Sequence, residues 1–161
     1  MRVALLLVVA LCTAACGDDA PAAVAGDYTL SLTNHENGCA FQSWQEGDTT
    51  TGVPFTITQS GSSATGTIGG AAGVYVEVLL GSKAFIGSVS GDALHLVLHG
   101  TRAFNEGACT YTVTGTADAT LAQDVLQGSI VYTTATNGSP DCAALASCHA
   151  TQVFNGTRPP Q

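Results

Sequence analysis

From Thr110 to Leu121 every odd position is small or apolar (Tyr111, Val113, Gly115, Ala117, Ala119, Leu121) and every even one is Thr or Asp118. Strict alternation of this kind specifies an extended strand, because a period of two places one set on each face. The same phase resumes after a turn at Ala122 to Asp124, in Leu126, Gly128, Ile130 and Tyr132. Earlier runs repeat it: Phe55 and Ile57; Ala64, Gly66 and Ile68; Val74, Val76, Val78 and Leu80; Phe85, Gly87 and Val89; Leu94, Leu96 and Leu98. A first strand is expected at Tyr28 to Thr33 and a last one at Cys148 to Asn155. Short Gly-, Ser- and Asp-containing connections between runs read as antiparallel hairpins.

The expected fold is therefore all-β, an antiparallel up-and-down meander of eight or nine strands closing into a barrel. Closure also answers a problem of composition. Free sheet edges are commonly guarded by Lys or Pro, and the chain has one lysine, Lys83. The one helical candidate is a short turn over 139–147, with Ser139 or Asp141 as cap and Pro140 in the first turn.

The first residues set the address. Arg2 precedes an unbroken apolar run from Val3 to Leu11, and Thr13-Ala14-Ala15-Cys16 ends it. A run of this length matches a secretory signal and falls short of the ~20 residues of a spanning helix. Thr13 to Cys16 resembles the lipobox of bacterial lipoproteins, in which the peptide is cut before a cysteine that then carries lipid. The resemblance implies a signal peptide at 1–15, lipidation of Cys16, and attachment to a membrane of the bacterial cell envelope, the outer membrane or cell surface. Residues 16–25, small and acidic, then read as a tether, and 26–161 as a single barrel domain.

Charge excludes whole classes of partner. Twelve acids face four cations, a formal net charge of −8 that becomes one unit more negative once Arg2 leaves with the signal. Three scattered cations, Lys83, Arg102 and Arg158, supply neither the counterion release of a nucleic-acid binder nor a polybasic membrane patch. Charged residues are 10% of the chain, against roughly 25% in ordinary globular proteins. With Thr, Gly, Ser and Val abundant, that is the profile of an exported β-protein.

Cysteine usage agrees with export. Cys12 leaves with the signal and Cys16 is the lipid site, so Cys39, Cys109, Cys142 and Cys148 remain. An even number outside the cytoplasm reads as two disulfides with three possible pairings. The expected pairs are Cys39 with Cys109 and Cys142 with Cys148.

Gly26-x-Tyr28 in the first strand, a meander of about eight strands and Arg158 just beyond the last one resemble the lipocalin and avidin-type small barrels. In those families a Gly-x-Trp and a late Arg close one barrel end. The likeness supports the architecture and transfers no ligand, since avidin-type sites rely on several tryptophans and this chain has only Trp44.

Catalytic and metal chemistry find little support. His95 and His99 share a strand face with backbones about 13 Å apart, too far for one ion. Cys142 and Cys148 lack the spacing of a haem-attachment motif before His149. The serines sit in hairpins with no nucleophile-elbow sequence. The sequence thus suggests no enzyme, cofactor or metal site. Two functional readings remain, both turning on the small inward positions Ala64, Gly66, Gly87, Gly115, Ala117, Ala119 and Gly128. In one, Phe55, Phe85, Tyr111 and Tyr132 fill the space above them, and the protein is an envelope structural or protein-interaction module. In the alternative, the space is a cavity and the barrel carries a small apolar ligand. The first is adopted here.

Overall fold

The computed structural model describes residues 20–159. Nine strands follow in chain order: β1 Gly26–Asn37, β2 Thr49–Ser60, β3 Ser63–Ile68, β4 Ala84–Ser90, β5 Ala93–His99, β6 Phe104–Glu106, β7 Cys109–Ala122, β8 Val125–Thr136 and β9 His149–Thr157. Consecutive strands pair antiparallel except β5 and β6; β5 pairs instead with β7, and β9 pairs with β1. The ring β1-β2-β3-β4-β5-β7-β8-β9 is therefore closed, with β6 an additional hairpin strand on β7. The eight- or nine-stranded meander barrel expected from period two is the observed fold.

The phase assignments also hold. Val53, Phe55, Ile57, Leu94, Leu96, Leu98, Ala117, Ala119, Leu121, Leu126 and Ile130 are buried in one core cluster. Among their chain neighbours on the other face, Thr56, His95, Asp118, Thr120 and Gln127 are exposed. Gly87 and Gly128 leave no room for a side chain, because an added Cβ would lie 1.9 Å from the His95 carbonyl oxygen and 2.1 Å from that of Asp118.

One run was misread. Val74, Val76, Val78 and Leu80 were expected to form a strand, and the chain instead forms α1, Gly70–Leu80, between β3 and β4. The same residues carry two periodicities, and the helical one wins. Ala72, Val76 and Leu80, four residues apart, pack against the barrel core, as one stripe of a 3.6-residue helix does. Val74, Tyr75 and Val78 are left at 61%, 60% and 55% exposure. Gly81, at φ 79°, terminates the helix by donating its N–H to the Glu77 carbonyl, a left-handed cap that glycine adopts without strain. The helical turn expected over 139–147 is present as a 3-10 turn at Pro140–Cys142, with the Ser139 hydroxyl accepting from the Asp141 N–H.

Both disulfides form, and with pairings other than those expected. Cys39 joins Cys148, and Cys109 joins Cys142. Barrel closure explains the choice. Cys39 follows β1 and Cys148 precedes β9, whose register with β1 brings Asn37 opposite Ala150. Cys109 opens β7 beside the end of β8, where Tyr111 faces Thr136, and Cys142 follows β8. The β7 and β1 strands are separated by two others, which keeps Cys109 away from Cys39.

Candidate functional site

The two barrel ends differ in construction. At the first, here the plugged end, the hairpin turns are tight and the N-terminal residues lie across the opening. Val24 is fully buried. Gln59 accepts from the Val24 N–H at 2.8 Å and donates to the Ala22 carbonyl at 2.9 Å, while the Ala22 N–H donates to the Gly91 carbonyl at 2.7 Å. Residues 22–25, expected to be part of a free spacer, are thus packed into the barrel.

Arg158 completes that end. Its Nη1 donates to the carbonyls of Ala23 and Ala25 at 2.9 and 2.7 Å, and its Nε donates to the Asp124 carboxylate at 3.1 Å. The guanidinium lies 5.7 Å from the centre of the Tyr28 ring, within the range of a cation–π contact. With 7% of its side chain exposed, Arg158 is nearly desolvated, so its bonds are worth more than those of a surface cation. Burial raises the Tyr28 pKa, partly offset by Arg158, and the Tyr28 hydroxyl donates to the Val24 carbonyl. Arg158 thus closes this barrel end against Tyr28.

The opposite end, the stapled end, bears α1, both disulfides and the long loops. Trp44 lies edge-on to Tyr132 at 5.8 Å and donates its indole N–H to the His35 carbonyl. Below it Tyr132 donates to Gln152 at 2.8 Å, which donates to Asn34 at 2.7 Å. Burial pushes the Tyr132 phenol pKa upward. A second small core of Cys109, Cys142 and Leu145, with Tyr111 and Cys148, lies under the β8–β9 loop.

Between the ends, the interior is almost full. The void bounded by Leu30, Val53, Phe55, Phe85, Ala117 and Phe154 measures about 30 Å³, with an apolar lining. Barrels and clefts that hold small molecules offer roughly 300–1,000 Å³, so this space has room for about one water-sized group. Two of the small inward residues, Gly66 and Gly115, are covered by rings. A Cβ on Gly66 would lie 2.2 Å from Phe55 Cζ and one on Gly115 3.2 Å from the Tyr132 ring, and Phe55 meets Phe85 edge to face at 6.4 Å. Tyr111 is the exception among the expected fillers, stacking on Phe104 at 5.3 Å outside the main core. Tyr28 and Phe154 take its place inside.

The larger concavity, about 710 Å³, is on the outer wall. It crosses β4, β5, β7, β8 and β9, and its exposed walls carry Ser88, His95, Asp118, Thr120, Gln127 and Asn155. Cross-strand register assembles it: Ser88 faces His95, His95 faces Asp118, Thr120 faces Gln127 and Gln127 faces Asn155. His95 Nδ1 lies 2.6 Å from the Asp118 carboxylate. Sequence reading placed His95 outward and missed the groove, because its parts come from five strands far apart in the chain. The register of the meander was the only signal that could have joined them.

The remaining sequence candidates separate. Cys16 lies outside the described residues, as does the signal peptide. His95 pairs with Asp118 and His149 Nε2 with Glu36 at 3.1 Å, so no two histidines share a partner. Among the described residues, no three His, Cys, Asp or Glu side chains converge on a point that could hold a metal ion.

No family model and no curated protein matches the chain. A solved structure described as "Structure of EF1p2_mFAP2b bound to DFHBI" is similar at 14% identity and a TM-score of 0.42, over 84% of this chain and 93% of that chain.

Proposed function

We propose that the protein is a lipid-anchored module of the bacterial cell envelope that acts through its outer surface, as a structural or protein-interaction element. The observation that carries this reading is the filled interior: a void of about 30 Å³ leaves the walls and ends of the barrel as the surfaces available for recognition. The lipobox-like Thr13-Ala14-Ala15-Cys16 and two disulfides support export and anchoring. Ala22 lies at the plugged end, and the six residue steps from Cys16 to it span at most ~21 Å. An anchor at Cys16 would then hold the plugged end toward the bilayer and the stapled end outward. A single acyl chain binds only marginally, whereas the diacylglyceryl group of lipobox proteins would make the attachment stable.

Cys16→Ser tests the reading. The variant is expected to leave the membrane fraction and to accumulate as an uncut or differently cut precursor. Fractionation with membranes at the parent level would refute the anchor. The interior is tested independently by native mass spectrometry and a thermal-shift screen of fatty acids, sterols and isoprenoids. The filled core predicts neither extra mass nor a saturable shift, whereas a carrier at a hundredfold ligand excess over Kd would gain about 2.7 kcal/mol.

A further inference from the structure

The two disulfides at the stapled end differ in access. Cys109 and Cys142 are 0% and 1% exposed, whereas Cys39 is 5% exposed and Cys148 only half-buried. Thiol–disulfide exchange needs a thiolate to reach a sulfur, so access selects the bond that breaks. We infer that Cys39–Cys148 is a redox latch: a dithiol reductant opens it ahead of Cys109–Cys142 and frees the loop that carries Trp44 from the mouth of the barrel.

What the bond holds is the β1–β2 loop. Among the described residues, the hydrogen bonds of residues 40–47 stay within the loop or go to β1. Ala40 N–H donates to the Asn37 carbonyl, the Asn37 carboxamide bonds both the N–H and the carbonyl of Phe41, and Gly47 N–H donates to the Asn34 carbonyl. The Trp44 indole donates to the His35 carbonyl, again on β1. Two attachments reach further: the disulfide to Cys148, which precedes β9, and the edge contact of Trp44 with Tyr132 on β8. Breaking the first leaves the ring contact alone to seat the loop.

The loop also carries a reason to leave. Ala40 and Ser43 have φ of 51° and 64°, a left-handed conformation that is costly for residues with a Cβ and persists where the surroundings enforce it. Ala40 directly follows Cys39, and Ser43 directly precedes Trp44, so the two enforced residues adjoin the two attachments. Opening the latch lets both relax. It bares the Tyr132 ring and the Gln152 and Asn34 side chains bonded in series behind it, which changes the surface presented at this end of the barrel.

The chemistry balances with a dithiol alone. One of its thiolates attacks Cys148 Sγ, the more accessible sulfur, forming a mixed disulfide and expelling the Cys39 thiolate, which takes up a proton. The second thiol of the reductant then displaces Cys148 as a thiol and closes the reductant into a cyclic disulfide. Two electrons pass to the protein, and reoxidation returns them.

The test exposes the oxidised full chain, without denaturant, to a graded series of dithiothreitol. Free thiols are trapped by alkylation and located by peptide mapping. Trp44 is the only tryptophan, so its emission maximum and its quenching by acrylamide report the loop directly. Cys39 and Cys148 should be alkylated at least about tenfold faster than Cys109 and Cys142, as their access dictates. Trp44 emission should shift to the red and its quenching rise over the same time course, with the far-ultraviolet circular dichroism of the barrel unchanged. Cys39→Ser with Cys148→Ser should show the same Trp44 signal without any reductant. Simultaneous reduction of both disulfides, or earlier reduction of Cys109–Cys142, would overturn the latch. So would a Trp44 signal indifferent to loss of the bond, or loss of strand dichroism as soon as it breaks, which would make the bond a brace for the whole barrel. The inference goes beyond the anchoring reading and uses no property of Cys16, so either can fail without the other.

Discussion

At the plugged end, Val24, Gln59, Tyr28 and Arg158 hold a few residues of N-terminal chain across the barrel by burial and hydrogen bonds alone. At the stapled end, two disulfides, a helix and a Trp-on-Tyr lid do the same work. The difference follows from loop length. Tight hairpins place their own backbone partners within reach, whereas loops such as 38–48 and 137–148 have to be fixed from outside. Covalent closure is the stronger remedy where local pairing is sparse, because it acts chiefly on the unfolded chain.

The largest test of that contrast removes the Cys39–Cys148 bond, whose partners are 109 residues apart. In the chain-entropy model such a closure contributes about 5 kcal/mol. Cys39→Ala with Cys148→Ala should lower the urea unfolding free energy by an amount approaching that. A loss of less than about 2 kcal/mol would mean that packing, not the staple, holds this end. The next test is at the plugged end. Val24→Ala removes two methyl groups from a fully buried site and should cost about 2 kcal/mol. A near-zero cost would show that the N-terminal segment lies on the barrel without stabilising it.

The smallest effect is read in alkali. The folded-state pKa values of Tyr28 and Tyr132 are raised above the ordinary 10.0, so the folded protein holds these protons more tightly than the unfolded chain. Their contribution is fully present below pH ~10 and is lost as pH climbs through the folded-state values, at up to about 1.4 kcal/mol per pH unit for each group. Arg158 opposes the rise at Tyr28, and Tyr132 has no such cation. Melting curves taken from pH 8 to 11 should therefore flatten more for Tyr132→Phe than for Tyr28→Phe. The reverse order would place the more desolvated tyrosine at the plugged end.

How much of this was legible follows from the range over which each signal acts. Strand phase is local, so Val113 to Leu121 and Leu94 to Leu98 declared their inward faces from sequence. The Ala72, Val76 and Leu80 stripe was equally local, but its residues also alternate, and two periods competed for one run. The helix prevailed where a stripe four residues apart could cover an open barrel end and Gly81 could cap it. Disulfide pairing and the groove were not local at all. Both depend on which strands are neighbours after closure, and Cys39 meets Cys148 only because β9 returns to β1. The approach of Arg158 to the Tyr28 ring depends on closure in the same way, since it requires the end of β9 to lie beside β1.

The docked N-terminal segment has a mechanical consequence. Any load arriving from the N-terminal side of Ala20 meets the Ala22–Gly91 and Val24–Gln59 bonds before it reaches β1. Beyond them β1 lies between β2 and β9, antiparallel to both. A pull along β1 would therefore shear two ladders at once instead of unzipping one, and the bonds would share the force. The segment at 22–25 would act as a sacrificial catch, released first and re-formed when tension falls, while the barrel behind it keeps its shape.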